Sequence, residues 1–210
     1  MRPDHTGLFL VHMVDLRICF IGDSLIAGTG DAQFLGWPGR LAKAAATRGH
    51  NLTCYNLGIR ANTSADILKR WRAEAEARAA AGQDNRLIFQ FGVNDTKDVG
   101  GKRIVEPETS NAQAREILSA AKDWLPVLMV GPPAIQDETR HARIADISAR
   151  LGKICSELDI PFLNSFEPLL ASDCWMSAVR AGDGVHPVAA GYDAWAKLIE
   201  AWPSWRAWVP

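Results

Sequence analysis

Several features that would assign this chain to a particular class of protein are missing from its sequence. No apolar run approaches the roughly 20 residues that a membrane-spanning helix needs, so the sequence predicts no membrane span. No basic excess is present, since the formal net charge is −1, and we therefore expect no nucleic-acid partner. No internal repeat, linker or second domain is apparent.

Cysteines are few and lack metal-binding spacing. They form no C-x-x-C pair, which predicts free thiols and a reducing, cytoplasmic location. The histidines form no ligand cluster, so we predict no metal site. The run Gly28-Thr29-Gly30 lacks the third glycine of a dinucleotide-binding loop, so none is predicted. The four cysteines are Cys19, Cys54, Cys155 and Cys174.

What the sequence does contain is enough apolar material for the core of one ordinary domain. Of 210 residues, 48% are hydrophobic and 22% charged, the balance of a globular protein. We expect a single domain over residues 14–210, preceded by an extension over residues 1–13 that is disordered or loosely packed. His12 interrupts the apolar stretch of that extension and no small-residue cleavage site follows, which disfavours a signal peptide.

Short apolar runs alternate with helical patterns along the chain. The runs are nearly continuous in apolar character, as in parallel strands covered on both faces. This alternation predicts an α/β fold of three α/β/α layers around a doubly wound, parallel, five-stranded sheet with flavodoxin-like strand order. The predicted strands cover residues 16–21, 52–56, 86–91, 127–130 and 161–164.

The helical patterns lie between those strands. One of them carries apolar residues three and four positions apart from Ile144 to Leu158, which predicts a single buried stripe. A last helix is expected to begin at Pro187. The other predicted helices cover residues 37–48, 64–81 and 110–124.

Small and polar residues follow the predicted strand ends, where doubly wound sheets place their functional crevice. Ser24 follows the first strand, Gly58 the second and Asn94 the third, while Asp183 and His186 lie beyond the fifth. A serine hydroxyl needs a base to accept its proton, which His186 provides if Asp183 orients its ring. The backbone N–H groups of Ser24 and Gly58 and the Asn94 amide are candidate donors to the oxyanion of a tetrahedral intermediate.

These residues occur in four sequence blocks that resemble the SGNH (GDSL) hydrolase family of serine esterases and lipases. The blocks are Gly22-Asp23-Ser24-Leu25, Asn56-Leu57-Gly58, Gly92-Val93-Asn94-Asp95 and Asp183-Gly184-Val185-His186-Pro187. The resemblance implies a three-layer α/β fold, a Ser24–His186–Asp183 triad and ester hydrolysis through an acyl-enzyme without metal or organic cofactor. It identifies Ser24, Gly58, Asn94 and His186 as the four family residues.

The chain departs from the family pattern at one position. Many members carry a second glycine three residues after the first, where this chain has Ala61, which leaves the width of that loop open. The G-x-S-x-G elbow of the α/β-hydrolases is missing, so that family is disfavoured. Asp23 is expected to hydrogen-bond neighbouring backbone rather than to react.

A substrate pocket is predicted beside the reacting groups. Trp175 and Met176 are placed in a long loop before Asp183, and loops over a strand-end crevice often shape pockets. The expected wall residues are Leu25, Leu169, Leu170, Trp175, Met176 and Val185. The segment 95–109, with its two adjacent glycines, is expected to form a mobile rim on the other side.

The sequence thus predicts a serine hydrolase that cleaves small or medium carboxylic esters, with a small-molecule ester as its partner. Activity is expected to fall in acid, because a protonated imidazole cannot accept the serine proton. Three other substrates stay open on the same scaffold, namely acetylated sugars, thioesters and lysophospholipids. A catalytically idle binding module is the alternative from another class, and the oligomeric state stays open.

Overall fold

The computed structural model describes residues 14–210, and the predicted extension over residues 1–13 lies outside them. Five of its strands form a parallel sheet in the order β2-β1-β3-β6-β7, and two short strands form an antiparallel hairpin. The strands are β1 (Asp15–Gly22), β2 (Asn51–Gly58), β3 (Asp84–Gln90), β4 (Asp98–Val99), β5 (Lys102–Arg103), β6 (Val127–Val130) and β7 (Phe162–Leu163). The order of the five sheet strands confirms the flavodoxin-like prediction.

Helices cover both faces of this sheet. They are α1 (Ser24–Ala27), α2 (Gly36–Thr47), α3 (Ser64–Glu76), α4 (Pro107–Lys122), α5 (His141–Glu157), α6 (Phe166–Leu170), α7 (Asp173–Ala181), α8 (Ala189–Ala201) and α9 (Pro203–Trp208). None of the helices between residues 14 and 210 is both long and apolar enough to span a bilayer.

Two hydrophobic cores lie on opposite faces of the sheet because successive strand side chains point to opposite sides. Ile18 and Phe20 of β1 pack with α2, α7 and α8, whereas Cys19 and Ile21 pack with α3, α4 and α5. The inner strands β1, β3 and β6 thus contribute to both cores, which explains their nearly continuous apolar runs. This arrangement confirms the predicted three layers.

The segment before Asp183 differs most from its prediction. It was expected to be a long loop, yet it contains α6 and α7. Ser172 caps α7 by accepting a hydrogen bond from the Trp175 N–H, and Trp175, Ala178 and Val179 form a buried stripe at helical spacing. The helical spacing of this segment is therefore a local feature of its sequence.

Smaller corrections concern element ends. Helix α3 ends at Glu76 rather than at residue 81, and α4 begins three residues early because Pro107 suits the first turn of a helix. The last long helix begins at Ala189, two residues after Pro187. Part of the rim segment 95–109 is the β4–β5 hairpin.

Candidate active site

Ser24 lies at the turn between the inner strand β1 and the short helix α1. Asp23 is the N-cap of this helix, and its Oδ1 accepts a hydrogen bond of 2.9 Å from the Leu25 N–H. Ser24 occupies the first helical position, where a backbone N–H has no intrahelical partner. The hydroxyl and N–H of Ser24 are thus set at the carboxyl edge of the sheet, and Asp23 bonds neighbouring backbone as expected.

His186 connects Ser24 to Asp183. Its Nε2 lies 2.7 Å from Ser24 Oγ, and its Nδ1 lies 2.7 Å from Asp183 Oδ2. With the Nδ1 proton donated to Asp183, Nε2 is left to accept from the Ser24 hydroxyl. The fold therefore brings together three groups separated by up to 162 sequence positions.

A tight turn after α7 orients Asp183. Its Oδ1 accepts hydrogen bonds from the backbone N–H groups of Val185 (3.0 Å) and His186 (2.8 Å). The turn requires Gly184, whose φ of 85° lies in the left-handed region that favours glycine. One carboxylate oxygen is thus fixed by backbone, and the other faces the imidazole.

These hydrogen bonds govern the protonation of Asp183. Partial burial acts to raise its pKa, but the backbone and side-chain hydrogen bonds from His186, together with the Val185 N–H, lower the pKa to about 2. The carboxylate therefore stays ionised throughout the pH range in which imidazoles titrate. It can stabilise a positive charge on the neighbouring ring.

Gly58 ends β2 directly beside the Ser24 turn. Its register partner on β1 is Gly22, and a Cβ at Gly58 would lie 2.2 Å from the Ala27 nitrogen. Only glycine allows α1 to approach this closely. The Gly58 N–H donates to Asn56 Oδ1 at 3.0 Å, so this predicted oxyanion donor has an acceptor within the protein.

Asn94 is buried in a short 3-10 turn after β3. Its Nδ2 donates to the Asn62 carbonyl at 2.9 Å and to Asp23 Oδ2 at 3.4 Å. The fully buried Asp95 holds this turn in place by accepting hydrogen bonds from the Ser64 N–H (2.9 Å) and the Ser110 hydroxyl (2.6 Å). The Asn94 amide is therefore fixed beside the Ser24 turn.

Asp23 is the second carboxyl of this site whose pKa differs from its ordinary value. Its complete burial, reinforced by the nearby Asp95, raises the pKa of Asp23 to about 7 despite the Leu25 hydrogen bond and the positive charge of Lys97. Two carboxyls of the site thus differ sharply in proton affinity, because one is buried and the other is hydrogen-bonded at the surface.

The predicted pocket wall is only partly available to a substrate. Trp175 is fully buried in the core, where its indole N–H donates to the Ala134 carbonyl at 2.8 Å. Leu25 and Leu169 are also buried. These three residues therefore belong to the hydrophobic core, and their assignment to the pocket wall is wrong. Trp175 is buried because α7 turns its apolar stripe toward the core. Leu170 is exposed and Met176 is half-buried against the core.

Val185 lies on an open cleft of about 510 Å³ beside Asp183. The rest of its lining is largely polar and consists of Gln136, Asp137, Glu138, Arg140, Asp183 and Gly184. Within residues 14–210, no group of three or more histidine, cysteine or acidic side chains is placed to hold a metal ion.

One residue that contacts the site is not among the residues predicted from the sequence. Arg70 of α3 reaches the ends of β1 and β2, where its guanidinium donates to the Gly22 carbonyl (2.7 Å), the Leu57 carbonyl (3.0 Å) and Asn62 Oδ1 (2.6 Å). Its position within a helix resembles that of any surface arginine, so no local sequence signal distinguishes it.

Solved structures of several hydrolases share this fold. The chain superposes on an acetylxylan esterase from Geobacillus stearothermophilus with a TM-score of 0.69 and 21% identity, covering 87% of this chain and 91% of that one. For TesA the TM-score is 0.70 at 22% identity, covering 88% and 96%. For a lipase/acylhydrolase from Enterococcus faecalis it is 0.67 at 21% identity, covering 87% and 92%. At these identities the similarity establishes the fold.

The sequence of the chain matches one family model. The curated proteins gave no significant match. The GDSL-like lipase/acylhydrolase family model matches residues 20–194, which include Ser24, Gly58, Asn94, Asp183 and His186. Since that match covers most of the chain, the protein belongs to the GDSL-like lipase/acylhydrolase family and is an ester hydrolase.

Proposed function

We propose that this ester hydrolase works through an acyl-enzyme formed on Ser24, with His186 as general base and Asp183 as its orienting carboxylate. The observation that carries the proposal is the pair of 2.7 Å contacts on the two ring nitrogens of His186, one to Ser24 Oγ and one to Asp183 Oδ2. A nucleophile, a base and an orienting group in hydrogen-bonded sequence are the parts that activate a serine.

The reaction begins when Ser24 Oγ attacks the acyl carbon of the ester and its proton passes to His186 Nε2. The carbonyl oxygen becomes an oxyanion, which accepts hydrogen bonds from the Ser24 N–H, the Gly58 N–H and the Asn94 amide. Collapse of this intermediate breaks the ester C–O bond, and the leaving alcohol takes the proton from His186. Asp183 stabilises the imidazolium while it exists.

Water completes the cycle. It attacks the acyl-enzyme while His186 accepts one of its protons, and a second oxyanion forms in the same place. When this intermediate collapses, the acid leaves and Ser24 Oγ regains a proton from His186. Every proton that leaves a reacting oxygen thus passes through one imidazole, and no further reactant is needed.

Substitution of Ser24→Ala tests the nucleophile. We expect kcat/KM for p-nitrophenyl acetate to fall on the order of 10⁴-fold or more, because no hydroxyl is left to form the acyl-enzyme. Ser148→Ala is the matched control, since Ser148 is a buried serine whose hydroxyl bonds Asn164 Oδ1 at 3.1 Å, away from the site. Wild-type turnover in the Ser24 variant would refute the proposed nucleophile.

A fluorophosphonate probe separates an esterase from an idle binding module. Rapid labelling of the wild-type protein, lost in Ser24→Ala and kept in Ser148→Ala, is expected because only an activated serine reacts quickly. If the wild-type protein is not labelled, the cleft serves recognition rather than catalysis.

We propose small or medium acyl esters as substrates, and the open cleft beside Asp183 supports acetylated sugars as the second candidate. Its polar lining offers hydrogen-bonding groups to a hydroxylated alcohol portion. The comparison to make is kcat/KM across p-nitrophenyl esters of increasing acyl length, acetylated sugars, an acyl thioester and a lysophospholipid. Preference for an acetylated sugar supports deacetylation, and preference for one of the last two assigns the enzyme to that class instead.

We propose a cytoplasmic location for the enzyme, and the state of its thiols supports it. All four cysteines lie within residues 14–210 and are free, and burial raises the pKa of Cys19 to about 11 and that of Cys155 to about 12. Thiols of this kind need no oxidising compartment. Fractionation of cells that express the full chain tests this, and recovery from the secreted fraction would contradict it.

A further inference from the structure

Arg70 connects the segments that carry the proposed oxyanion donors. It lies within α3, and its side chain is only 14% exposed. Besides the contacts with Gly22, Leu57 and Asn62 described above, its Nη1 bonds Glu74 Oε2 at 2.6 Å, which supplies an opposite charge. The guanidinium thus has four acceptors, and three of them belong to the edge of the site.

Each of those three acceptors belongs to a different part of the oxyanion site. The Gly22 carbonyl lies two residues before Ser24, at the end of β1. The Leu57 carbonyl belongs to the peptide unit whose N–H is that of Gly58. Asn62 offers its Oδ1 to Arg70 and its backbone carbonyl to the Asn94 amide.

The peptide unit between Leu57 and Gly58 is the most direct of these connections. A peptide is planar, so a hydrogen bond that fixes the C=O direction also fixes the N–H direction. Here Arg70 Nη1 bonds the carbonyl at 3.0 Å, while the N–H faces Asn56 Oδ1 at 3.0 Å. Hydrogen bonding to a carbonyl also polarises the rest of the peptide unit, which strengthens its N–H as a donor.

Arginine suits this position better than lysine does. Its planar guanidinium carries five N–H donors in a fixed arrangement and can bond two backbone carbonyls, an amide and a carboxylate at once. An ammonium at the same place has three donors and no fixed plane. The contacts therefore depend on the shape of the group as well as on its charge.

We propose that Arg70 is a positioning residue that holds the three oxyanion-donor segments in their mutual geometry. This inference rests on the proposed function, since it assigns to Arg70 the alignment of donors to the oxyanion. Arg70 acts through Gly22, Leu57 and Asn62 and does not itself touch the substrate.

The test uses Arg70→Met and Arg70→Lys in the full chain, with Arg72→Met as matched control. Arg72 lies on the same helix and forms an equivalent i,i+4 pair with Glu76, but it is 43% exposed and stacks on Trp124 away from the site. Kinetics are measured with p-nitrophenyl acetate, and the active-site concentration is counted by fluorophosphonate titration.

We expect kcat per titrated site to fall roughly 10- to 100-fold in Arg70→Met, because a small misplacement of an oxyanion donor weakens transition-state stabilisation. KM should change less than about twofold, since ground-state binding needs no such alignment. Arg70→Lys should lose less than Arg70→Met, and Arg72→Met should match the wild type.

A transition-state analogue supplies a readout that loss of folding alone would not move. A trifluoromethyl ketone forms a bond between Ser24 Oγ and its carbonyl carbon, and its oxygen becomes an oxyanion in the donor site. Its inhibition constant should rise by the same factor as kcat/KM falls. If Arg70 only stabilises the fold, the number of titrated sites falls, while kcat per site and the inhibition constant stay at wild-type values.

The outcomes distinguish the two proposals. Loss of activity in Ser24→Ala with wild-type kcat per site in both Arg70 variants would overturn the role of Arg70 and leave the proposed function intact. Wild-type activity in Ser24→Ala would instead refute the proposed function. If Arg70→Met does not fold, the test depends on Arg70→Lys, because this variant keeps the positive charge beside Glu74. Unchanged kcat in Arg70→Lys then overturns the inference.

Discussion

The two sides of the site differ in the partners of their hydrogen-bonding groups. On the base side, Ser24, His186 and Asp183 bond one another in the order that proton transfer requires. On the donor side, the Gly58 N–H and the Asn94 amide bond acceptors within the protein. In the proposed mechanism the base side is therefore already arranged for proton transfer, whereas an oxyanion has to compete with acceptors of the protein for its proposed donors.

This difference indicates how each side is built. Apart from Ser24, the base side comes from one short turn, in which two backbone N–H groups hold Asp183 beside His186. The donor side is assembled from the ends of three strands and needs contacts such as those of Arg70 and Asp95 to keep its parts together. Substitutions should therefore abolish the function of the base side in one step but reduce that of the donor side gradually.

The largest expected effect comes from breaking the base side with Asp183→Asn. We expect kcat to fall about 10⁴-fold, because the amide can no longer hold the His186 ring in the required tautomer or stabilise its charge. Asp173→Asn, at an exposed aspartate in the first turn of α7, is the control and should keep wild-type turnover. A loss below tenfold would mean that Asp183 is dispensable to the base.

On the donor side, Asn94→Ala should lower kcat about 10²- to 10³-fold, the usual effect of removing one oxyanion donor. Asn85→Ala is the matched control, since Asn85 lies at the opposite end of β3 and its amide bonds only the Ala80 and Gln83 carbonyls. Steady-state kinetics measure kcat for both variants, with the active-site concentration taken from fluorophosphonate titration. Equal kcat in the two variants would exclude Asn94 from the donor set.

A smaller effect concerns stability, through the buried Asp23. Its folded-state pKa of about 7 exceeds the ordinary unfolded value of about 3.9, so the unfolded chain releases this proton first as the pH rises. Its contribution to the free energy of unfolding is therefore fully present below pH 4 and decreases until about pH 7, by a few kcal/mol at most. Asp23→Asn, which keeps a capping side chain, should remove this decrease.

The measurement is urea unfolding of the wild-type protein and of Asp23→Asn at several pH values between 4 and 8. The difference in unfolding free energy between the two proteins isolates Asp23 from the other carboxylates. A difference that stays constant over this range would contradict the raised pKa.

The smallest expected effect is at Ala61, the position at which a glycine is expected in many members of the family. Ala61 has a φ of 64°, so this chain keeps a left-handed turn that favours glycine. Ala61→Gly should therefore raise the free energy of unfolding by about 1 kcal/mol or less, because relief of strain outweighs the entropy of the added glycine. Thermal unfolding measures this change in stability. The control is Ala65→Gly in α3, which should lower the Tm. A lower Tm in Ala61→Gly would refute the expectation.

Much of the fold could be predicted because its determinants are local. Apolar strands such as β1, alternating with helical patterns, specify a layered parallel sheet, and the connections then place Ser24, Gly58 and Asn94 at one edge. Helix α7 is an exception, because its capping serine and apolar stripe are local signals of a helix although its position before Asp183 favours a loop over the site. The assignment of Trp175 to a pocket wall was wrong for the same reason.

The sequence by itself determined the order of the five sheet strands, the family and the identity of the candidate reacting groups, because each of these depends on residue type and spacing along the chain. The tertiary structure alone decided which acceptor holds the Asn94 amide, that Arg70 joins the ends of β1 and β2, and that Asp23 is buried while Asp183 is hydrogen-bonded at the surface. Hydrogen bonds across 13 to 48 positions and the burial of a charge depend on packing between separate segments, which no local pattern contains.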